Sequence, residues 1–225
     1  MVIRQRAMQA EDKRERYEAI LDATERVLAR APDQSVNVAD VADEARLAKG
    51  TVYLYFPSKD ELLLAVHERR IDAFFGEVIA LVEAPAQVSI EPMLELTRRH
   101  IVEPPLFLPL ASRCFGLMAH NIPPETAAAF RQRMAARLER AGAGLERHFP
   151  ALAPGGGLAL LRRSYALILG LWLMSAGKDA DNTHCAMIGP APSPVFAWSY
   201  PTELEVALRA LWRGMVAPAT LEVVR

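Results

Sequence analysis

Hydrophobic positions recur along this chain with the spacing of amphipathic helices. Between residues 13 and 30 they follow i, i+3, i+4, i+7, i+10 and i+11, and a Pro-Asp turn signal comes next. No stretch alternates apolar and polar residues as a half-buried strand does. The pattern therefore predicts an all-α fold. The predicted helices cover residues 13–30, 38–45, 49–56, 58–85, 91–103, 109–119, 124–148, 157–178 and 202–217.

Capping signals mark several of the predicted helix ends. Asn37 can cap the second helix through its side chain. Ser58 and Glu61 form a capping box for the fourth helix, and Thr202 with Glu205 predicts another for the last one. These signals place helix boundaries without reference to any tertiary contact.

Two short helices in residues 37–56 are joined by about three residues. This is the minimum of a helix-turn-helix, in which the second helix enters the major groove of DNA. From Arg46 to Lys59 the chain has three basic residues and no acidic one, and Arg4 and Arg6 lie in the first ten residues. A cationic patch confined to this helix and an N-terminal arm is the layout expected for phosphate contacts.

Composition sets limits on the class of protein. The 225 residues carry a formal net charge of −1, with 52% hydrophobic and 24% charged residues, which is typical of a globular protein and unlike an indiscriminate nucleic-acid coat. Two cysteines exclude a disulfide framework. The uncharged apolar stretch 164–177 is shorter than the ~20 residues that cross a bilayer, and no apolar signal segment begins the chain. We expect a cytoplasmic protein with no membrane contact.

The run K-G-T-V-Y-L-Y-F-P-S-K, from Lys49 to Lys59, resembles the pattern K-G-T-x-Y-x-Y-F-x-S-K of the TetR family of transcriptional regulators. The similarity covers roughly residues 12–63. It implies a homodimer that binds a double-stranded DNA operator. It also implies a flexible arm over residues 1–10, a helix-turn-helix domain over 11–60, and a C-terminal effector-binding and dimerisation domain over 61–225.

The resemblance assigns DNA contacts to the second short helix and its flanks. Lys49, Thr51 and Tyr53 would reach base edges and phosphates, and Gly50 would allow a close approach. Lys59 resembles a lysine that contacts phosphate at the start of the fourth helix. The full set of expected DNA contacts is Arg46, Lys49, Gly50, Thr51, Tyr53, Tyr55 and Lys59.

Three positions depart from the family pattern. Arg46 replaces the usual turn glycine, so either its backbone is left-handed at a cost in strain or the turn differs. Ala48 replaces a serine and removes a side-chain cap worth about 1 kcal/mol or less. Ala39 stands where an arginine is common, so one DNA contact is lost unless Arg46 substitutes for it.

Nothing in the sequence predicts catalysis, a metal or another cofactor. The glycines at 155–157 lack the Lys-Ser/Thr pair of a phosphate-binding loop. Asp179, Asp181, His184 and Cys185 match no zinc signature and lie in a proline-containing loop predicted over residues 178–199.

The C-terminal helices supply candidate pocket residues. Helical ligand-binding domains line their pockets with apolar side chains and a few polar groups. Each candidate could equally be ordinary core, but together they favour a hydrophobic or aromatic effector. They are His100, Phe107, Cys114, Phe115, Met118, Phe130, Met134, Tyr165 and Trp172.

The helix over 157–178 is apolar on nearly every face, and the last helix carries a strong apolar stripe. A helix that is apolar all round must be covered on all sides, so we expect both helices to pair with their copies in a twofold dimer. The candidate interface residues are Leu169, Leu173, Leu204, Leu208, Leu211, Trp212 and Met215.

These patterns favour a ligand-responsive regulator, in the first place a repressor, that a small effector releases from a palindromic operator. An activator or a constitutive DNA-binding dimer without an effector is the first alternative. The second, from another class, is an enzyme or carrier that has only the shape of a helix-turn-helix.

Overall fold

The computed structural model describes residues 2–30, 36–175 and 198–217, without the side chains of residues 2–10 and 115–120. Within these ranges the regular structure is entirely helical, so the all-α prediction is confirmed. The helices are α1 (Val2–Arg30), α2 (Val38–Ala45), α3 (Lys49–Tyr55), α4 (Lys59–Glu83), α5 (Ile90–Thr97) with a π-helical turn (Arg98–Val102), α6 (Phe107–His120), α7 (Pro124–His148), α8 (Gly156–Ser175) and α9 (Tyr200–Val216).

Two helix starts differ from the sequence-based prediction. α1 begins at Val2, so the expected arm over residues 1–10 is helical from its second residue; residues 5–10 are good helix formers without glycine or proline. α9 begins at Tyr200 after Ser199, with a proline in its first turn, so the predicted Thr202–Glu205 capping box is wrong. The predicted loop over 178–199 lies almost wholly outside the described residues.

The chain forms two compact units, the first of which is Met1–Arg70 with Pro105–Ala127. α6 belongs to this unit because Leu106 and Leu110 lie in the same buried cluster as side chains of α1 to α4. The units therefore divide the chain differently from the single border predicted near residue 60.

Ion pairs join α1 to its neighbours in the first unit. Arg69 of α4 reaches Asp22 and Glu18 of α1 at 2.7 and 3.2 Å. Arg26 and Arg30 both contact Glu44 of α2 at 2.6 Å, and their hydrogen bonds lower the pKa of that carboxyl. α1 therefore forms ion pairs with both α2 and α4.

The second unit comprises Ile71–Pro104 and Ala128–Arg225. Its helices α7 and α8 cross at Gly157 and Gly142, whose backbones are so close that a Cβ at Gly157 would overlap the carbonyl of Gly142. α8 and α9 are joined by two hydrogen bonds. Trp212 Nε1 donates to Ser164 Oγ at 3.0 Å, and the Tyr200 hydroxyl donates to the Ile168 carbonyl at 3.1 Å.

α8 is long and apolar enough, by length and composition alone, to cross a membrane. The 14-residue stretch considered from the sequence stopped at Arg163, whereas α8 continues through two arginines to Gly156. One such helix is weak evidence, because core helices of soluble proteins pass the same test. Only 28% of the apolar segment is buried within the chain, so α8 presents apolar surface outward.

Candidate nucleic-acid interface

The turn between α2 and α3 sets the direction of the helix expected to read DNA. Asn37 Oδ1 accepts a hydrogen bond from the Ala39 N–H at 3.0 Å, which confirms the predicted cap. α2 ends at Arg46, whose backbone is left-handed at φ 56° and ψ 41°. The Leu47 N–H then donates to the Ala42 carbonyl at 2.9 Å, a bond typical of a Schellman ending. Arg46 therefore has the left-handed backbone that the glycine of the family pattern would adopt at a lower cost.

Replacing Arg46 with glycine is expected to raise the free energy of unfolding by about 1 kcal/mol, because a left-handed backbone costs a residue with a Cβ roughly that amount. Urea denaturation of both proteins measures the difference. The same variant is expected to bind DNA more weakly, since it loses an exposed cation. If the variant gains stability and its DNA affinity is unchanged, Arg46 does not contact DNA.

α3 is short and is anchored by two buried side chains. Its N-cap, Ala48, makes no side-chain cap, as the sequence predicts. Val52 and Phe56 are buried, and the ring of Phe56 packs against that of Tyr17 with centroids 4.9 Å apart. The Phe56 N–H closes the helix on the Val52 carbonyl at 2.9 Å. Tertiary packing therefore holds this seven-residue helix, since an isolated helix of that length is unstable.

All seven residues expected to contact DNA lie in the first unit, on α3 and the segments beside it. Lys49 and Tyr53 are exposed, and the ammonium group of Lys49 lies 5.9 Å from the centre of the Tyr53 ring. Arg46 and Gly50 are also exposed, whereas Thr51, Tyr55 and Lys59 are half-buried. Tyr55 packs against the buried cluster of the first unit.

The charged residues from Arg46 to Lys59 are all cations. Between Arg46 and Lys59 the sequence has no acidic residue. Arg46 and Lys49 form no ion pair with any acidic side chain in the described part of the chain. Ser58 Oγ accepts from the Glu61 N–H at 3.1 Å, so the predicted cap of α4 is confirmed and Lys59 occupies the first turn. The arrangement can attract and hold a polyanion.

Gly50 lies on the exposed side of α3, and its own chain does not require a glycine there. A Cβ at this position would meet nothing within 4 Å, and the backbone is ordinary helix. Glycine inside a helix costs about 1 kcal/mol relative to alanine. A glycine at this position would be explained by a partner molecule whose surface lies close to the backbone of α3.

Sequence reasoning missed Leu54, whose side chain is 84% exposed on α3. Helix phase could have found it, because Leu54 is four residues after Gly50 and adjoins Tyr53 on the outward face.

The candidate pocket residues fall in two different units. Phe107 and Cys114 are buried in the first unit, where burial raises the pKa of the Cys114 thiol to about 12. His100 binds the Glu77 carboxylate at 2.9 Å in the second unit. Phe130 is buried there, Met134 and Trp172 are half-buried, and Tyr165 is exposed. Phe115 and Met118 lie outside the described side chains.

A cleft of about 410 Å³ lies in the second unit among α5, its π-helical turn and α9. None of the candidate pocket residues lines it. Arg98 and Arg209 are on its wall together with three glutamates, and the arginines pair with these carboxylates. In the described part of the chain no group of three histidine, cysteine, aspartate or glutamate ligands is arranged to hold a metal ion.

The candidate interface residues divide by burial. Leu204, Leu208 and Trp212 are buried within one chain, so a partner could reach them only if α9 moved. Leu169, Leu211 and Met215 are half-buried, and Leu173 is 41% exposed. Other apolar side chains on these helices are also exposed, notably Met174 on α8 and Val206 on α9.

Comparison with known proteins assigns both parts of the chain. Residues 20–66 match the family model of bacterial regulatory proteins, tetR family, and residues 68–219 match the tetracyclin repressor-like C-terminal domain. The HTH-type transcriptional repressor KstR of Mycobacterium tuberculosis is 41% identical over 75 residues, 32% of this chain and 34% of that protein. The fatty acid metabolism regulator protein of Bacillus subtilis is 34% identical over 62 residues, 28% of this chain and 32% of that protein.

The aligned segment spans about a third of the length of these curated relatives. A solved TetR-family regulator from Mesorhizobium loti is 18% identical, with a TM-score of 0.49 over 90% of this chain and 96% of that one. The two family models together leave residues 1–19, 67 and 220–225 unmatched, and the C-terminal one alone covers more than half of the residues. The chain belongs to the tetR family of bacterial regulatory proteins.

Proposed function

We propose that the protein is a transcriptional repressor that binds a palindromic operator as a homodimer and is released by a small hydrophobic or aromatic effector. The observation that carries the proposal is α3, a short helix with an exposed face. The chain from Arg46 to Lys59 carries three cations and no acidic residue, and a left-handed residue ends the helix before it. The repressor KstR of Mycobacterium tuberculosis is among the relatives of this chain, which supports repression as the direction of regulation. Its place of action is the cytoplasm, where bacterial DNA lies.

A dimer is proposed because α8 and α9 carry exposed apolar side chains. Met174 is 63% and Val206 60% exposed, and Leu173 of α8 is 41% exposed. A second copy would remove this surface from water, with Leu173 in the seam. Twofold symmetry would then set two α3 helices against successive major grooves, about 34–36 Å apart.

Effector control is proposed through α4, because this one helix contributes residues to both compact units. An effector shifts the balance between two conformers only as far as it binds one of them more tightly. The candidate pocket residues stay a proposal. Trp172 and Trp212 lie in the second unit, so their fluorescence is the direct screen for effector candidates.

The test of function is selection from a random duplex library with the full-length protein, followed by titration of the selected duplex at several salt concentrations. The expected result is one enriched palindrome bound by a dimer. Enrichment without release by any effector candidate would favour the constitutive or activating alternative. If no duplex is enriched at low or moderate salt, the proposal is wrong, and the enzyme or carrier hypothesis is favoured instead.

Replacing Lys59 with alanine is expected to weaken all duplexes about equally and to reduce the slope of log K against log salt by about 1 for each half-site, since each phosphate contact releases about one counterion. Arg213→Ala is the matched control, because Arg213 is an exposed cation of α9 in the other unit. Equal slopes for the two variants would place Lys59 away from the phosphates.

A further inference from the structure

Leu54 has no structural reason to be a leucine. Its side chain is 84% exposed, the most exposed of the large hydrophobic side chains on the described part of the chain. Its neighbour Val52 is completely buried and supplies the packing of α3. Single apolar residues on a surface are common and need no explanation by themselves. Leu54 differs because of the surface on which it lies.

That surface combines an apolar side chain with bare backbone and positive charge. Gly50 lies one helical turn before Leu54 on the same face, and nothing occupies the space where its Cβ would be. Tyr53 is 42% exposed beside Leu54, and the Lys49 ammonium lies over its ring. A partner can therefore approach the helix closely at Gly50 and meet Leu54, while the lysine holds its negative charge.

DNA is the partner that fits this combination. Each thymine presents a C5-methyl group in the major groove, the only apolar group among the base edges there, and apolar side chains recognise it by contact. Leucine has no hydrogen-bonding group, so it cannot select a base through polar atoms. The cations at Lys49 and Arg46 match the phosphates on either side of the groove.

We infer that Leu54 is a specificity-determining residue that reads the methyl group of one thymine in each operator half-site, in the space left open by Gly50. The inference rests on the proposed DNA-binding function. It predicts an obligatory thymine facing α3. A variant without the leucine side chain loses the preference for thymine over uracil at that position, and retains the remaining contacts of the interface.

The experiment uses the full-length protein and the duplex that it selects from a random library. Each thymine of the palindrome is replaced in turn by deoxyuridine, symmetrically in both half-sites, which removes only the methyl group. Burial of one methyl group changes affinity about fourfold, so one position is expected to weaken native binding about fifteenfold over two half-sites. At the same position the Leu54→Ala variant is expected to change less than twofold.

Leu54→Met is the matched control, since it keeps an apolar side chain of similar size and should still distinguish thymine from uracil. The exposure of Leu54 means that both variants should unfold at the temperature of the native protein. If uracil is tolerated at every position, or if Leu54→Ala still requires the methyl group, the inference is wrong while the proposed function stands. If the native protein enriches no duplex, the proposed function itself fails, and the inference with it.

Discussion

Replacing Gly157 with alanine is expected to destabilise the protein by about 3 kcal/mol or more, the largest effect we predict. The new Cβ would overlap the carbonyl group of Gly142 in the facing helix. Backbone cannot turn aside as the end of a flexible side chain can, so α7 and α8 must move apart, at the cost typical of severe overpacking. Urea denaturation at one fixed protein concentration measures the loss.

Gly76→Ala provides the control for this prediction. Gly76 is also inside a long helix, but a Cβ there would meet nothing within 4 Å, so alanine should stabilise the protein by about 0.5–1 kcal/mol through helix propensity. Because α8 also carries the proposed dimer surface, Gly157→Ala should weaken dimerisation as well. Similar stability of the two variants would mean that α7 and α8 are not in close contact in solution.

The second large effect is a loss of stability in mild acid that one residue causes. His67 of α4 is 3% exposed, and its ring packs edge-on against Phe107, with centroids 5.2 Å apart. Its Nδ1 has no hydrogen-bond partner among the described residues. Burial, with a further contribution from the charge of Arg70, lowers the pKa of His67 to about 4.

The sign of the effect follows from which state binds the proton. In the unfolded chain His67 has its ordinary pKa near 6.5, so between pH 6.5 and 4 the unfolded state binds a proton that the folded state excludes. The contribution of His67 to the free energy of unfolding is therefore complete about one pH unit above 6.5 and falls as the pH is lowered. The expected loss from His67 is about 2 kcal/mol between pH 7.5 and 5.

His67→Leu separates this contribution from those of the other histidines and the carboxylates. The variant keeps an apolar side chain against Phe107 and removes the titrating group. In chemical denaturation from pH 7.5 to 5, the native protein should lose about 2 kcal/mol more stability than His67→Leu. A difference that does not depend on pH would show that His67 titrates in the folded protein as it does in the unfolded one.

Local chemistry predicted the helix-turn-helix closely. α2 has the predicted bounds, and Asn37 and Ser58 cap the helices that they were expected to cap. The sequence left two outcomes open at Arg46, a left-handed backbone or a different turn, and the structure has the left-handed backbone. Prediction failed locally at Thr202, where Ser199 and a proline begin the helix one turn earlier.

The candidate DNA contacts were predictable because they follow a short continuous motif, whereas Leu54 was not selected. Leu54 occupies a variable position of that motif, so the motif did not select it, although the helix phase relative to Gly50 would have placed it on the outward face, where it is 84% exposed. The candidate pocket could not be predicted in the same way. Its residues come from helices far apart in the chain, and α6 packs in the first unit with Phe107 and Cys114.

The sequence by itself determined the helices, most of their ends and the cationic stretch from Arg46 to Lys59, because hydrogen bonds and charges within a few residues decide these features. Only the tertiary structure decided what each apolar stripe covers. A stripe of period 3.6 shows that a face is buried, but not whether its own chain or a second copy buries it. Thus Leu204, Leu208 and Trp212 of α9 are buried within their own chain, whereas Met174 of α8 is exposed. The close contact of α7 with α8 at Gly157 was likewise decided by packing, since a glycine in a sequence does not reveal which backbone it will meet.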